Sequence, residues 1–354
     1  RCFLSLIVDE NIDENKPNRG IEPLPNLEFK FVTANTLIKL TDNSNQNDEF
    51  NSIEELQLLE ELRNEYIQSS GKSKDKLKRS FLEIREKIIK DQSGLWGNQD
   101  SRAYKLSNWN PFGHEKSDWF DSSWMFGIEN FDIVIGNPPY GISIKGAYRE
   151  NVEKILGKVP DYEIYYYFIE KSKYLLSGCG ILSLVIPNTY LFNTFAYNYR
   201  NNLIKEWKLI EILDCTNFSL FKNAVVRNNI IIWEKGSSKK IGYRHTKGKK
   251  NFQSLINSEK KTISIEKVLN YNQNWGLIFS LDERAFYLID KIKVNTNSLR
   301  NYFPEISQGL IAYDKYRGQS DEIIKQRKYH YNTKIKSTLK PWLWGSDINR
   351  YSVI

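Results

Sequence analysis

Four consecutive residues, Asn137-Pro138-Pro139-Tyr140, carry groups suited to chemistry on a backbone with few other uses. Neither proline has an N–H, so the stretch cannot continue a hydrogen-bonded ladder, and its carbonyls stay free for other partners. The asparagine adds a side-chain oxygen acceptor and the tyrosine a flat ring. A given tetrapeptide turns up by chance in about one chain of this length in several hundred. The plainest reading is a rigid turn, because Pro-Pro after Asn makes an extended corner. What precedes it argues for more. Residues 131–136 read FDIVIG, an apolar run of strand length that delivers the four residues to its carboxyl end. In open α/β sheets, ligands bind at that end.

Other candidate constellations are weak. Pro160-Asp161 with Glu170 and Lys171 loosely has the composition of a nuclease metal site, but Glu170 and Lys171 fall in the apolar helical pattern IYYYFIEKSKYLL, where surface charges are expected. His114, His245 and His330 are scattered and read as surface histidines, and no Ser-His-Asp set can be assembled from spacing. Cys2, Cys179 and Cys215 are three widely spaced cysteines, which indicates neither a disulfide framework nor a metal knuckle. The cysteine usage fits a reducing, cytoplasmic compartment.

The elements that must position Asn137–Tyr140 follow from periodicity. Leu27–Thr33 alternates and predicts a strand. Ile53, Leu56, Leu59, Leu62 and Tyr66 recur at helical spacing, as do Leu77, Phe81, Ile84 and Ile88, with Ser69-Ser70-Gly71 between them. This predicts a helical hairpin over about residues 50–91. Residues 94–125 are rich in Trp, Ser, Asn and Asp and read as irregular. Phe131–Ile135 predicts a strand, Tyr165–Leu176 a helix, and Ile181–Ile186, Leu209–Leu213 and Asn229–Trp233 three further strands, with Gly178 and Gly180 ahead of the first. Strands alternating with helices imply an α/β fold with a parallel or mixed sheet. The pattern turns to short mixed segments after about residue 260, where a domain boundary is expected.

Composition limits the function classes. The chain has 354 residues and enough aromatic side chains for packed cores (9 Trp, 21 Tyr, 18 Phe), which excludes wholesale disorder. No apolar run approaches the roughly 20 residues that span a bilayer, so no membrane role is expected. Fifty-one basic residues against 43 acidic give a net charge of +8, favouring anionic partners. Seven basic residues and no acid lie between Lys235 and Lys250, among them Lys239, Lys240, Arg244, Lys247, Lys249 and Lys250; nine basic against three acidic lie between Lys315 and Arg350. Each run reads equally as a solvated loop. Tyr243, Tyr313, Tyr316, Tyr329 and Tyr331 sit among or beside these charges, and cations with aromatics are what phosphate contact and base stacking require. The sequence starts at Arg1 and its only methionine is Met125, so a trimmed or partial chain is expected.

FDIVIGNPPY resembles the catalytic motif of the adenine-specific DNA methyltransferases, which methylate the exocyclic amino group. NLEFKFVTANTL resembles that family's third conserved strand, GILSLVIPNTYLF its strand and loop after a glycine turn, and NFSLFKNAVVRNNIIIWEK the segment whose aromatic faces the target base. GLIAYDKY and LKPWLWGSDINRY resemble the specificity domain of the TaqI-like enzymes. The resemblance covers most of the chain apart from the hairpin and the Trp-rich stretch, and points to type II/IIG restriction-modification methylases, often fused to a nuclease. It implies a Rossmann-like sheet, S-adenosylmethionine as methyl donor, and double-stranded DNA with a flipped adenine as substrate.

In that reading the side-chain oxygen of Asn137 and the carbonyl of Pro138 accept the two amino hydrogens, Pro139 completes the motif, and Tyr140 and Phe221 stack on the two faces of the base. Phe221 reads otherwise as an ordinary loop or core aromatic. Asn35 and Asn137 would meet the cofactor, Asn35 from the position of the family's adenine-binding acid, although a turn or cap asparagine would look the same. The sequence departs from the family: nothing in it resembles the glycine-rich loop that cradles the methionine end of the cofactor, nor the second strand with its ribose-binding acid. RCFLSLIVDE resembles the helix after the family's second strand, so the sheet is expected to lack its first two strands and the piece to be inactive alone. The expected organisation is a partial catalytic domain at 1–45 and 126–260, an insertion at 46–125, and a truncated target-recognition domain at 261–354. Two rivals stand: a methyltransferase acting on RNA guanine or protein glutamine, and a non-catalytic DNA-binding specificity module.

Overall fold

The computed structural model describes residues 12–20, 26–40, 52–94, 97–113, 115–160, 163–221, 226–248, 251–270, 274–294, 296–305, 313, 319–341, 348–349 and 352–353. They form two compact units, residues 1–281 and 282–354. The division falls about twenty residues beyond the expected boundary near 260.

The helical hairpin forms as expected. Helix α1 (Ile53–Gln68) turns through Ser69 and Ser70 into α2 (Gly71–Ser93). Leu59, Tyr66, Phe81 and Ile88 are buried on the shared face, the product of their three- and four-residue spacing. Buried Asn26 closes the turn, its Nδ2 donating to the carbonyls of Tyr66 (2.6 Å) and Ser69 (2.7 Å) at the end of α1. Those carbonyls are among the orphan acceptors of a helix C-terminus. Asn26→Ala is therefore expected to destabilise this unit by about 1–3 kcal/mol, read as a lower urea midpoint at unchanged slope.

The expected strand at Leu27–Thr33 does not form. Residues 28–30 make a turn, and only Ala34 forms a bridge, to Ser117. The reason is Phe29, which leaves the alternation to enter the hairpin core. It lies edge-on to Tyr66, Phe81 and Phe112 at centroid distances of 5.5, 5.6 and 5.5 Å. The Trp-rich stretch is partly ordered by helices α3 (Arg102–Asn108) and α4 (Ser122–Phe126), each begun by a side-chain cap from Ser101 or Asp121.

The sheet follows. Strand β1 (Phe131–Gly136) leads through α5 (Gly146–Leu156) and α6 (Ile164–Leu175) into β2 (Leu176–Pro187). After α7 (Thr189–Phe192) and α8 (Tyr197–Glu206) come β3 (Trp207–Asp214), β4 (Asn228–Lys235), β5 (Lys240–His245), α9 (Phe252–Ile256), β6 (Lys261–Ser264), α10 (Ile265–Asn270) and α11 (Trp275–Ser280). The spatial order is β1-β2-β4-β3-β5-β6. β1 is parallel to β2 and β5 to β3, whereas β4 runs antiparallel between β2 and β3. The chain is thus α/β with an open mixed sheet. Leu182, Leu184 and Ile186 alternate inward along β2 and are buried with Leu209, Ile212, Ile231 and Trp233.

β2 begins five residues earlier than the apolar run, so Gly178 and Gly180 lie inside the strand and not ahead of it. Gly180 is required there, because a Cβ would sit 2.7 Å from Leu176 Cδ2 and 3.2 Å from the Phe131 carbonyl oxygen. Residues 261–281 belong with this unit because β6 pairs with β5 and Trp275 and Phe279 are buried against Tyr190 and Tyr243.

Among the described residues β1 pairs only with β2, and its outer side chains stand in solvent: Ile133 is 61% and Ile135 76% exposed. The expectation that neighbouring strands are missing on this side concerns segments such as RCFLSLIVDE that lie outside the described residues. In the second unit, α12 (Glu283–Val294), α13 (Leu299–Tyr302) and α14 (Asp321–Lys325) are short helices, and Ile348–Asn349 pairs with Ser352–Val353. No helix among the described residues is long and apolar enough to cross a membrane.

Candidate functional site

Because β1, β2, β3 and β5 run the same way and β4 the opposite way, one edge of the sheet gathers the exits of four strands and the entry of β4. Asn137–Tyr140 leave β1 at this edge. Pro138 is buried, Tyr140 half-buried, and Asn137 and Pro139 exposed. Gly141 then turns at φ +71, a left-handed conformation. The chain is fastened to the start of α6 by Ile164 N–H donating to the Ile142 carbonyl at 3.1 Å.

Phe221, 37% exposed, lies in the loop between β3 and β4, so it emerges at the same edge. The two loops are joined by a contact that sequence reasoning missed. Buried Asn228, the first residue of β4, donates from Nδ2 to the Tyr140 hydroxyl at 3.1 Å. Next to it, with the amide oriented to satisfy its neighbours, Asn229 Nδ2 donates to Asp214 Oδ1 (3.2 Å) and to the Asn228 carbonyl (3.1 Å). Asp214 also accepts from Thr216 N–H (2.9 Å) and from the Tyr243 hydroxyl (2.5 Å). The signal available in the sequence was the pair Asn228-Asn229 opening an apolar strand, two polar groups that burial obliges to find partners.

Asn35 stands apart from this cluster. Its Oδ1 accepts from the Tyr148 hydroxyl at 3.2 Å, and its N–H donates to the Ser117 carbonyl at 2.9 Å. It therefore ties the N-terminal segment to α5, the helix that follows the motif. Asn35 and Asn137, the two residues expected to meet the methyl donor, are thus not brought into one hydrogen-bonded cluster. No glycine-rich turn after a strand is present among the described residues.

The basic run is divided between the two edges of the sheet. Exposed Lys239 precedes β5 and exposed Lys240 opens it, both at the edge opposite Asn137, whereas exposed Lys247 follows β5 and lies on the same side as Asn137. Arg244 is engaged internally: its Nε donates to Glu211 Oε1 at 2.6 Å and its Nη1 to the Ile256 and Ser258 carbonyls. Lys249 and Lys250 lie outside the described residues.

Tyr243 is a core residue and not a surface stacking platform, buried between Phe279 (centroids 5.0 Å) and His245 (5.5 Å). His245 and His330 are half-buried and not surface histidines; His330 Nδ1 lies 2.7 Å from the Tyr313 hydroxyl. Lys171, expected at the surface, is buried where α6 meets the insertion, its ammonium 5.8 Å from the Phe120 ring centre. Burial, then Lys39, holds its pKa below the usual lysine value. Glu170 is half-buried and accepts from the Tyr199 hydroxyl at 2.6 Å. No group of three or more metal-ligating side chains occurs among the described residues. Cys215 is buried, and burial pushes its thiol up to about 12, which keeps it protonated and unreactive.

The histidine at the end of β5 gives a pH signature. Burial, then Lys261 and Lys247, holds the His245 pKa below its ordinary value against the opposing pull of Asp214. The fold thus favours neutral imidazole, and the unfolded chain binds the proton more readily. Stability from this site is present above the unfolded value of about 6.5 and is lost as pH falls below it. The melting temperature is expected to drop between about pH 7 and pH 5.5, with a flatter profile for His245→Gln.

These loops belong to a matched family. Residues 9–221 match the model of the Eco57I restriction-modification methylase. The chain belongs to the Eco57I methylase family. A protein of Methanocaldococcus jannaschii named as a type II restriction enzyme and methyltransferase is 24% identical over 95% of this chain, which spans 34% of that relative's length. The type II methyltransferase M.BanIII of Aneurinibacillus aneurinilyticus is 28% identical over 46% of this chain and 28% of its own. The chain therefore spans about a third of the length of these relatives. The type I restriction-modification methyltransferase subunit of Streptococcus thermophilus is 18% identical with a TM-score of 0.36, covering 51% of this chain and 46% of that one. The matched residues of the Eco57I methylase family include the motif at Asn137–Tyr140 and end at Phe221.

Proposed function

We propose that this chain is part of a restriction-modification DNA methyltransferase that moves a methyl group from S-adenosylmethionine to the exocyclic amino group of an adenine flipped out of duplex DNA. The observation that carries the reading is the emergence of Asn137-Pro138-Pro139-Tyr140 and of the loop carrying Phe221 at one edge of the sheet, within a chain of a methylase family.

The chemistry follows from the residue types. An adenine amino group is a poor nucleophile because its lone pair is delocalised into the ring. The Asn137 side-chain oxygen and the Pro138 carbonyl each take one amino hydrogen. Positive charge grows on that nitrogen as the new bond forms, so acceptors aimed at it hold the transition state more tightly than the ground state. No strong base is needed, since the methylated amine is acidic enough to lose its proton afterwards. Tyr140, its hydroxyl fixed by Asn228, stacks on one face of the base, and Phe221 on the other. Lys247, exposed after β5 on the same side as Asn137, supports a phosphate contact there. Lys239 and Lys240, at the opposite edge, and Arg244, bound to Glu211, are given no phosphate contact at this site.

We assign target recognition to the second unit. Its cavity of about 670 Å³ is lined by Arg327, Tyr329, His330, Tyr331, Lys334 and Lys340, the basic and aromatic mixture that nucleic acid recognition uses. A nuclease segment or subunit beyond these residues completes the proposed system.

The test is transfer of labelled methyl groups by the full protein, with DNA, RNA and protein offered in turn. Label on DNA adenine supports the reading. Label on RNA guanine or on a protein glutamine overturns it, as does sequence-specific DNA binding in a gel shift with no transfer to any of them.

A further inference from the structure

The loop between β2 and α8, residues 188–196, lies between the two loops assigned to the target base. β2 neighbours β1, which leads into Asn137–Tyr140, and β4, whose entry loop carries Phe221. Phe195 is 79% exposed in this loop. The surrounding residues hold it out of the core. Tyr190, Leu191 and Ala196 are buried on either side of it. The fully buried guanidinium of Arg200 donates to the carbonyls of Tyr190 (2.8 Å) and Asn193 (2.7 Å), and packs 5.4 Å from the Trp275 ring centre. Phe195 N–H donates to Asn193 Oδ1 at 2.9 Å, and Asn188 N–H to the Arg227 carbonyl, also at 2.9 Å, which ties this loop to the segment after Phe221. Behind it the Phe192 ring packs on Gly276, where a Cβ would stand 2.2 Å from Phe192 Cε1. A loop anchored by three buried residues and braced by Arg200 thus presents Phe195, with the less exposed Phe192 (40%) beside it, to water at the edge where a nucleotide would leave the duplex.

We propose that Phe195 is an apolar wedge that enters the duplex at the base step vacated by the flipped adenine. The inference rests on the base-flipping reading above. Extruding a nucleotide exposes the faces of the flanking base pairs, and an apolar side chain inserted between them replaces part of the lost stacking. Held rigid beforehand, the ring gives up little freedom on insertion.

Phe195→Ala is expected to raise the DNA KM of methyl transfer by about tenfold on a fully paired duplex, with cofactor binding and melting temperature unchanged. On a duplex whose target adenine is mispaired, where extrusion is already cheap, the defect should shrink to about twofold. Phe195→Leu, still an apolar wedge, should fall between wild type and alanine on the paired duplex. Equal defects on paired and mispaired duplexes, or no defect on either, would overturn the wedge while leaving the methyltransferase reading intact. Failure of the wild-type protein to methylate either duplex would remove the base-flipping reading and the wedge with it.

Discussion

Replacing Asn137 with alanine is expected to lower methyl transfer by about 10²–10³-fold while duplex binding stays near wild type, read by single-turnover transfer and by gel shift on the same preparation. The size follows from where the group acts. On the proposed reading one of two fixed acceptors is lost at a nitrogen that becomes cationic, and water does not replace it in the right geometry. Binding is spared because Asn137 is exposed at the end of β1 and supports no packing. Its neighbour Pro138 is buried and Tyr140 is held by Asn228, so the loop keeps its course without the amide. Asn137→Asp is a sharper variant. It retains an acceptor oxygen and loses the neutral amide, and should keep more activity than alanine if accepting a hydrogen is the role. Turnover at the wild-type rate in the alanine variant would show that Asn137 does not hold the amino group.

Phe29→Ala is expected to carry the largest stability loss, about 3–5 kcal/mol by urea or thermal unfolding of this unit. Phe29 is buried among Tyr66, Phe81, Phe112 and Trp109, each approached edge-on at 5.5–6.1 Å. Such pairs add about 0.5–1.5 kcal/mol beyond the area they bury, and the four rings cannot close over the volume of a lost phenyl group. Phe29→Leu keeps apolar volume and loses the edge-to-face geometry, so its cost should stay below that of alanine. The ring also fastens the hairpin to the segment that carries Asn35 and, through Tyr148, α5. A loss under about 1 kcal/mol in the alanine variant would mean that the cluster repacks around the gap.

Much of this architecture is written in local pattern. The hairpin is visible because Leu59, Tyr66, Phe81 and Ile88 repeat at the helical period, and β1, β2, β3 and β4 because their apolar runs have strand length and are bounded by polar or glycine residues. The motif at Asn137–Tyr140 is visible because its chemistry resides in residue type: two missing N–H groups, one amide and one ring in sequence. These properties belong to a few adjacent residues, and no distant partner is needed to reveal them.

Tertiary packing decided the rest. The alternation at Leu27–Thr33 is as strand-like as any in the chain, yet it gives a turn, because four aromatic rings from the insertion offer Phe29 more burial than a ladder would. Tyr243 sits in a basic run and reads as a surface ring, yet β5 is covered by α11 and turns it inward against Phe279. Lys171 follows a helical pattern that puts it outside, but a second layer, the insertion, closes over that face. The bond from Asn228 to Tyr140 joins residues 88 positions apart. The division of the basic run between two edges depends on β5 running parallel to β3. By itself the sequence determined the helical hairpin and the strands β1 to β4, and singled out four residues whose types suit the proposed chemistry, since both are local properties. Which side chains meet at the edge of the sheet was decided by strand order and direction, which are set by the summed burial of many distant residues and by no single stretch of the chain.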